Sequence, residues 1–529
     1  MRLLPQNTYL ADPALGSHLR AHLAPAARAW AEPQLVEMGR AAADELREWG
    51  DACEAQPAWL RSVEPWGERV DEVVYPEAWQ RMGEVAARAG LVALPYEAEA
   101  RAAAGPQVRL VQAALGYLFG PSTATYHCPV AMTDGAARVL TEFGPADLRA
   151  EVVPHLVARD PSRAWTAGQW MTERQGGSDV GANAVEARRE NGCWRLHGRK
   201  FFCSNVDGEV VLTLARPHFA PAGTRGLGLF LVRRTLPDGS RNHIRIDRLK
   251  DKLGTRAMAT GEATLEGAVA DTVGDVERGF QQMTPMLNIT RLHNAIASAA
   301  GMRRAVTMAR AFASRRTAFG RPLDAQPLQR QVLLEMAVQA EGCLALTLRQ
   351  AELLGRVEAG VASAEEKALF RIGASLAKLV TGKRAVAVAS EAVECFGGQG
   401  YMEDTGIPRL LRDAQVLPIW EGTTNVLSLD VLRSLARPGA REAWAAEMER
   451  LDAPGQKATE RLLAEVAGLD VELAQRHARG LAFSLGESWM GGLLRSIPGE
   501  RGAAVAGLWD SACSPAAGGD RFELVLDGA

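Results

Sequence analysis

Apolar positions recur at three- and four-residue spacing along the first part of the chain. The segments PQLVEMGRAAADELREWG (33–50) and PEAWQRMGEVAARAG (76–90) both show this spacing, and each begins with proline, which suits the first turn of a helix. Near Trp165 the pattern changes to short runs bounded by Gly, Pro and Asp, and the hairpin dipeptide Asn191-Gly192 separates two alternating segments. From Gly279 the helical spacing returns. The order predicts helices, then antiparallel strands, then helices.

These changes divide the chain of 529 residues into four predicted domains. We expect an N-terminal helical domain (1–164), a middle antiparallel β-domain (165–275) and a C-terminal helical bundle (276–436). After the break at RPGA (437–440), an additional C-terminal domain (437–529) is predicted to be mostly helical. Because strands do not alternate with helices, the predicted fold class is α+β and not a doubly wound parallel sheet.

The composition is that of an ordinary globular protein, with 47% apolar and 23% charged residues. A net charge of −3 excludes a global basic field that would attract nucleic acid or an anionic membrane. The seven cysteines include no C-x-x-C pair, which argues against a zinc site and a disulfide framework. With no signal-peptide pattern and no run of 18 apolar residues, the sequence predicts a cytoplasmic protein without a membrane partner.

The motif WMTERQGGSDV (170–180) stands at the start of the sheet region. Thr172, Ser178 and the backbone N–H groups around Gly176-Gly177 could donate hydrogen bonds to an anion or to a ring carbonyl. A polar turn before a strand would show the same composition. The motif therefore favours a ligand site only in combination with others.

The segment GRKFFCSN (198–205) reads as a strand with adjacent aromatic residues. Strand alternation predicts that Phe201 and Phe202 point to opposite faces and that Ser204 shares the face of Phe202. One ring could cover a flat ligand while the other packs in the core, although an ordinary core strand also fits.

Two later motifs could bind phosphate or a cofactor. Arg316 in RRTAFGRPL (315–323) could pair with a phosphate, or it could be a solvated residue at a helix end. ECFGGQGY (394–401) is rich in glycine, but it follows a helical pattern and so does not fit a Rossmann fingerprint. The nine histidines show no ligand spacing, and we predict no metal site.

The segment VLPIWEGTTNV (416–426) places the carboxylate of Glu421 between Trp420 and Gly422. Apolar neighbours disfavour the charged form of a carboxyl group. Either Glu421 is exposed at a helix start, or it is held in this position for proton chemistry.

Six motifs together resemble the acyl-CoA dehydrogenase family over about residues 75–436. They occur in the order MTERQGGSDV, KFFCSN, KLGTRA, RRTAFGRPL, ECFGGQGY and IWEGTTN. Within the family the chain most resembles the AidB-like branch, the proteins of the adaptive response to alkylation. NTYL, CPVAMT, the tryptophan before Glu421 and the additional C-terminal domain carry that second resemblance.

The resemblance implies an FAD bound in extended form between the β-domain and the C-terminal helices. Because part of each site would come from a neighbouring subunit, it also implies a homo-oligomer, commonly a tetramer. The implied FAD contacts are Met171, Thr172, Gly177 and Ser178 at the ring and ribityl chain, Phe202 and Ser204 beside the ring, Arg316 and Gln326 at the pyrophosphate of a neighbouring subunit's FAD, Glu394, Gly397 and Gly398 at the adenosine, and Thr423 and Asn425 after the loop.

The same resemblance implies the chemistry of acyl-CoA oxidation. Glu421 would be the general base that removes the α-proton of an acyl-CoA, and a hydride would pass from the β-carbon to flavin N5. Arg291 and Gly422 match positions beside the acyl-CoA substrate. Thr290 stands where some family members carry the base on another helix, which leaves Glu421 as the base here.

Two departures from the family pattern keep other functions open. Asn288 replaces a common acidic residue, and Arg174-Gln175 replaces Pro-Gly in the first flavin loop; both follow the AidB-like pattern. One alternative is an AidB-like flavoprotein that binds DNA with little acyl-CoA turnover, and another is a fatty-acyl-binding regulatory flavoprotein. From Gly439 onward, nine Lys and Arg stand against fourteen Asp and Glu, which weakens the DNA hypothesis because phosphate contact requires clustered positive charge. The sequence does not specify the acyl chain or the electron acceptor.

Overall fold

The structure, a computed structural model, describes residues 3–511 and 522–528. The chain forms two compact units, each assembled from separate stretches of sequence. The first unit comprises Met1–Glu45, Glu97–Ser122 and Arg291–Ala529, and the second comprises Leu46–Tyr96 and Thr123–Thr290.

Helices make up most of the described chain, which confirms the predicted α+β class with helices on both sides of a β region in the sequence. In chain order the helices are α1 (Pro13–His22), α2 (Pro25–Ala43), α3 (Glu45–Ala55), α4 (Glu77–Arg88), α5 (Ala98–Ala104), α6 (Val108–Phe119), α7 (His127–Phe143), α8 (Ala146–Leu156), α9 (Gly279–Gln282), α10 (Thr284–Ala313), α11 (Pro327–Glu358), α12 (Ala364–Cys395), α13 (Ile407–Ala414), α14 (Thr424–Leu435), α15 (Ala440–Arg450), α16 (Gln456–Ala467), α17 (Val471–Arg495), α18 (Gly499–Ser511) and α19 (Phe522–Leu526).

The strands form one large sheet and two small hairpins. They are β1 (Trp59–Val63), β2 (Arg69–Val74), β3 (Ala167–Trp170), β4 (Glu186–Glu190), β5 (Cys193–Ser204), β6 (Val210–Pro217), β7 (Gly228–Arg233), β8 (Ile244–Leu249), β9 (Thr260–Thr272), β10 (Thr317–Ala318) and β11 (Arg321–Pro322). The hairpin β1–β2 lies in a region that the sequence pattern predicted to be mostly helical.

The large sheet is mixed, although the sequence predicted an antiparallel one. Most neighbouring strands are antiparallel, but β3 and β4 both pair parallel to β6. Parallel pairing needs a long crossover connection, and the β4–β5 hairpin with its flanking loops supplies one between β3 and β6. Such a pairing has no local sequence signal, so alternation alone could not reveal it.

Strand β6 shows how the sheet is anchored in the second unit. Leu212 and Leu214 pack in a core with residues of α7 and α8, whereas Val211 and Ala215 pack in the core on the opposite face. This alternation is the two-residue period of a strand with both faces buried. The sheet is therefore a rigid support for the loops at its strand ends.

Two long helices, α11 and α12, run through the first unit. Pro327 begins α11, and Ser363 and Glu366 form a capping box at the start of α12. Among the described residues, α11 is the one helix long and apolar enough to cross a membrane, but 78% of its most apolar window is buried inside the protein. A mostly buried window is expected of a core helix. Helices α15–α19 belong to the same compact unit.

Candidate functional site

Glu421 lies in a short loop before α14 and not within a helix. Its backbone adopts a left-handed conformation with φ of 56°, and Gly422 follows with φ of 104°. A left-handed conformation costs a residue other than glycine about 1–2 kcal/mol and persists only where surrounding contacts enforce it. The candidate base therefore occupies a strained position, and the contacts that hold it are of interest.

Two cations from different helices, one buried and one partly buried, hold this loop. Lys378 on α12 donates from Nζ to the Gly422 carbonyl oxygen at 2.6 Å, and the lysine side chain is completely buried. Arg291 on α10 donates from Nε to the Glu421 carbonyl oxygen at 3.4 Å. The carbonyls of the strained residue and of the glycine after it are thus each tied to a helix.

Asp430 on α14 forms ion pairs with two guanidinium groups behind the loop. It pairs with Arg291 at 3.1 Å and with Arg371 at 3.1 Å, and it also accepts from Ser375. Burial alone raises the pKa of Asp430, but the two guanidinium groups outweigh it and hold the pKa below its usual range. Burial lowers the pKa of Arg291, against the charges of Asp430 and Glu421.

Arg371, Ser375 and Lys378 are spaced four and three residues apart on α12, so they lie on one face of that helix. We call these three residues and Asp430 the support of the Glu421 loop. Arg291 also belongs to this network, since its Nη1 donates to Ser375 at 2.9 Å. Arg291, which the family resemblance placed beside the acyl-CoA, thus takes part in a partly buried hydrogen-bond network, and its contact with substrate stays a prediction.

The residues before Glu421 differ in their exposure. Trp420 donates its indole N–H to the Asn294 side chain, which fixes the ring in the first unit. Ile419, which would shield the carboxylate in a dry site, is 59% exposed in this chain. Trp420 is thus better placed than Ile419 to exclude water.

In the second unit, Thr290 donates its hydroxyl to the Met286 carbonyl of its own helix at 3.0 Å.

The start of α14 carries two predicted cofactor residues. Thr423 is the N-cap of the helix and is exposed, as is Asn425. Arg479 on α17 donates from Nη1 to the Asn425 side-chain oxygen at 3.1 Å. A residue of the predicted additional domain therefore contacts a residue of the predicted cofactor site.

The other predicted ring contacts lie in the second unit, in the loop after β3. The predicted contacts there are Met171, Thr172, Gly177 and Ser178. A Cβ on Gly177 would lie 2.6 Å from the Thr172 hydroxyl, so glycine is required for this close approach. In the part of the chain that the structure describes, the hydroxyls of Thr172 and Ser178 have no hydrogen-bond partner, which leaves them available to a ligand.

A buried ion pair anchors this loop, and sequence reasoning gave it no role. Lys200 donates from Nζ to Glu173 at 2.8 Å and to the Leu214 carbonyl at 2.8 Å. Glu173 also accepts from the backbone N–H of Ala184 at 2.6 Å. Burial opposes ionisation of Glu173, but Lys200 outweighs it and lowers the pKa of the carboxyl group. The pair fixes the loop that carries Thr172 against the sheet.

Phe202 and Ser204 lie on β5, where a register irregularity interrupts the ladder between Lys200 and Cys203. Lys250 Nζ lies 3.5 Å from the Phe201 ring centroid and 4.4 Å from that of Phe202. Both rings thus contact the same cation. Regular alternation had predicted that they would point to opposite faces of the strand. The Ser204 hydroxyl lies 3.4 Å from that of Thr260.

This loop and strand fit one edge of a flavin. Phe202 is 51% exposed, which is unusual for so large an apolar ring and leaves a flat surface open. The available hydroxyls of Thr172 and Ser178 belong to the same unit. Among residues 3–511 and 522–528, no three His, Cys, Asp or Glu side chains are grouped to hold a metal ion.

The remaining predicted cofactor residues lie on exposed segments of the first unit. Arg316 is exposed beside the β10–β11 hairpin, and Gln326 donates to the Ala318 carbonyl oxygen at 3.0 Å. Glu394, Gly397 and Gly398 are exposed at the end of α12. The roles of these residues in cofactor binding stay predictions.

Family models match almost the whole chain before residue 437. The Adaptive response protein AidB N-terminal domain matches residues 2–161, and the acyl-CoA dehydrogenase middle and C-terminal domains match residues 168–268 and 277–436.

Full-length relatives agree with the domain matches. Acyl-CoA dehydrogenase family member 11 of Caenorhabditis elegans is 44% identical over 81% of this chain and 70% of its own length. The putative acyl-CoA dehydrogenase AidB of Escherichia coli is 36% identical over 81% of this chain and 78% of its own length. The crystal structure of Caenorhabditis elegans ACDH-11 in complex with C11-CoA superimposes with a TM-score of 0.90 at 37% identity, covering 99% of this chain and 90% of that one. The chain therefore belongs to the AidB-like branch of the acyl-CoA dehydrogenase family.

Proposed function

We propose that the protein is an FAD-dependent oxidoreductase of the acyl-CoA dehydrogenase type, in which Glu421 removes the α-proton of an acyl thioester. The observation that carries this proposal is the Glu421 loop. The strained backbone that carries the Glu421 carboxylate is held by a buried lysine at the Gly422 carbonyl and by a partly buried arginine at the Glu421 carbonyl. Strain maintained by dedicated contacts is typical of functional positions.

The support of the loop suits proton removal. A carboxylate that abstracts a proton must be ionised and must keep one position relative to the substrate. Asp430 pairs with both Arg291 and Arg371, so it compensates part of the positive charge of the guanidinium groups that support the loop. When bound, FAD would accept the hydride that leaves the β-carbon.

FAD is supported as the cofactor by family membership and by the second unit. Members of the acyl-CoA dehydrogenase family are generally flavoenzymes. The exposed ring of Phe202 and the hydroxyls of Thr172 and Ser178 would hold the isoalloxazine ring from this unit. An acyl-CoA substrate is supported by the similar Caenorhabditis elegans protein, whose solved complex contains C11-CoA.

A homo-oligomer is supported by exposed apolar residues near the predicted pyrophosphate and adenosine contacts. Phe319, in the hairpin after Arg316, is 97% exposed, and Tyr401, just after Gly397 and Gly398, is 87% exposed. A second copy packed against these side chains would remove their apolar surface from water, which is favourable. We propose that a second copy of the chain covers them, and a tetramer follows the family pattern.

An anaerobic titration tests the enzymatic function. We expect the purified, FAD-loaded protein to be yellow and to lose its flavin absorbance with at least one acyl-CoA from a panel of chain lengths. Glu421→Gln should retain the colour and lose the bleaching, because the amide cannot accept the α-proton. If the variant bleaches as fast as the wild type, Glu421 is not the base. A spectral shift without bleaching in the wild type would favour a fatty-acyl-binding protein.

A second candidate function is DNA binding, which exposed cations of α17 favour. Arg476 and Arg479 are both exposed, and neither pairs with a carboxylate in the described residues. Because the tail is acidic overall, we expect only weak duplex binding at physiological salt. A sub-micromolar, salt-sensitive mobility shift that disappears on deletion of residues 438–529 would instead favour DNA binding.

A further inference from the structure

Lys378 lies directly beneath the Glu421 loop and is sealed from solvent. Its exposed fraction is 0%, and the Gly422 carbonyl is the one hydrogen-bond acceptor of its Nζ in the described chain. An ammonium group carries three N–H donors, and burying a charge is costly unless partners compensate it. A methionine of similar length would fill the same space without that cost. Packing alone therefore does not explain a lysine here.

The charges that face Lys378 come from the loop and from α10. Burial lowers the pKa of Lys378 to about 7, while the charge of Glu421 favours the ammonium form and that of Arg291 opposes it. Asp430 on α14 pairs with Arg291 and with Arg371. Arg371 is the charged residue that shares a face of α12 with Lys378. Glu421 is the carboxylate whose charge acts on Lys378.

We propose that Lys378 is a positioning residue for Glu421, which holds the loop through the Gly422 carbonyl and favours the ionised carboxylate by its positive charge. The inference rests on the proposed function, because it concerns proton removal by Glu421. The substrate proton goes to Glu421, and Lys378 forms no bond to substrate. Apolar surroundings disfavour an ionised carboxylate, and a nearby cation offsets this effect.

Two variants separate the hydrogen bond from the charge. Lys378→Met removes both, whereas Lys378→Gln retains an N–H donor and removes the charge. Lys367→Met is the matched control, since Lys367 is exposed on the same helix. All three would be prepared as FAD-loaded protein, with the wild type beside them.

The first readout is the pH dependence of flavin reduction by an acyl-CoA that bleaches the wild type. In both Lys378 variants we expect the acid limb to move to higher pH by about one unit, because the carboxylate loses a nearby positive charge. The control should keep the wild-type profile. If the acid limb is unmoved in both variants, the proposal is wrong, since a merely structural lysine would change rates without moving this limb.

The second readout requires no substrate. Chymotrypsin cleavage after Trp420, followed by mass spectrometry, reports how firmly the loop is held. We expect Lys378→Met to be cleaved about tenfold faster than Lys367→Met, with Lys378→Gln between them, because a hydrogen bond from a charged donor is lost. Equal cleavage rates would overturn the positioning role. If the wild type reacts with no acyl-CoA, the proposed function fails and this inference fails with it; an active wild type with an unmoved acid limb overturns this inference alone.

Discussion

Two buried lysines, one in each compact unit, show two different ways of keeping a cation inside a protein. Lys200 is 1% exposed and forms a direct ion pair with Glu173 at 2.8 Å, with a backbone carbonyl as its second acceptor. Lys378 is equally buried but donates only to the Gly422 carbonyl among the described residues. The opposite charge that acts on it is that of Glu421, without a direct ion pair.

The difference teaches what each lysine contributes. Lys200 and Glu173 are in direct contact, so their opposite charges compensate each other. The pair therefore fixes a loop and exerts little net charge on its surroundings. The charge of Lys378 is not neutralised by a carboxylate in contact with it, so it can act on Glu421. We therefore expect Lys200 to matter for stability and Lys378 to matter for the pH dependence of both stability and reaction.

The largest effect is expected from breaking the direct pair. Lys200→Met leaves Glu173 buried without its counter-charge, which should lower the free energy of unfolding by about 3–5 kcal/mol. Urea unfolding of the FAD-loaded protein measures it. Adding Glu173→Gln to Lys200→Met should recover more than half of the loss, because no unpaired charge remains. A cost below about 1 kcal/mol for the single variant would show that the ion pair does not anchor the loop.

The next effect is a slope of stability against pH that belongs to Lys378. Burial lowers the pKa of Lys378 to about 7, below that of the unfolded chain. Below pH 7 the lysine is protonated in both states and its burial cost is fully present. Above pH 7 the unfolded state binds more protons, so folding becomes more favourable as pH rises.

We expect the free energy of unfolding of the wild type to rise relative to Lys378→Met by about 1.4 kcal/mol per unit between pH 7 and pH 9. Urea titrations at three pH values measure this slope. The same comparison with Lys367→Met should be flat, because Lys367 is exposed. If the difference in free energy of unfolding between the wild type and Lys378→Met does not change with pH, the Lys378 ammonium stays charged across this range. The two lysines would then no longer differ in this respect.

The sequence identified the two loops that carry Glu421 and Thr172, but not the side chains that hold these loops in place. Glu421 and Thr172 could be found because they lie in short motifs with characteristic neighbours. Lys378 lies within an ordinary apolar helix, and its significance depends on contact with a loop 44 residues further along the chain. The one local signal was the spacing of Arg371, Ser375 and Lys378, which places three polar residues on one face of a buried helix.

The sheet shows the same limit in another form. Alternation located several strands of the large sheet, but the irregularity between Lys200 and Cys203 altered which rings share a neighbour. A bulge depends on pairing with β9, and the parallel pairs of β6 depend on a crossover, so neither is encoded in a single strand. Predictions of what lies on which face therefore fail where distant strands determine the register.

The smallest expected effect concerns an exposed cation, which sharpens the contrast with the two buried lysines. Arg479→Ala removes the hydrogen bond to Asn425, a predicted cofactor residue, and should weaken FAD retention about threefold, since an exposed hydrogen bond contributes little. Equilibrium dialysis of the yellow protein measures it. Arg476→Ala is the control, because this arginine is exposed on the same helix and has no hydrogen-bond partner in the described chain. If the two variants retain FAD equally, α17 contributes packing and not cofactor binding. Weaker retention in Arg479→Ala would connect the additional C-terminal segment to the cofactor through Asn425.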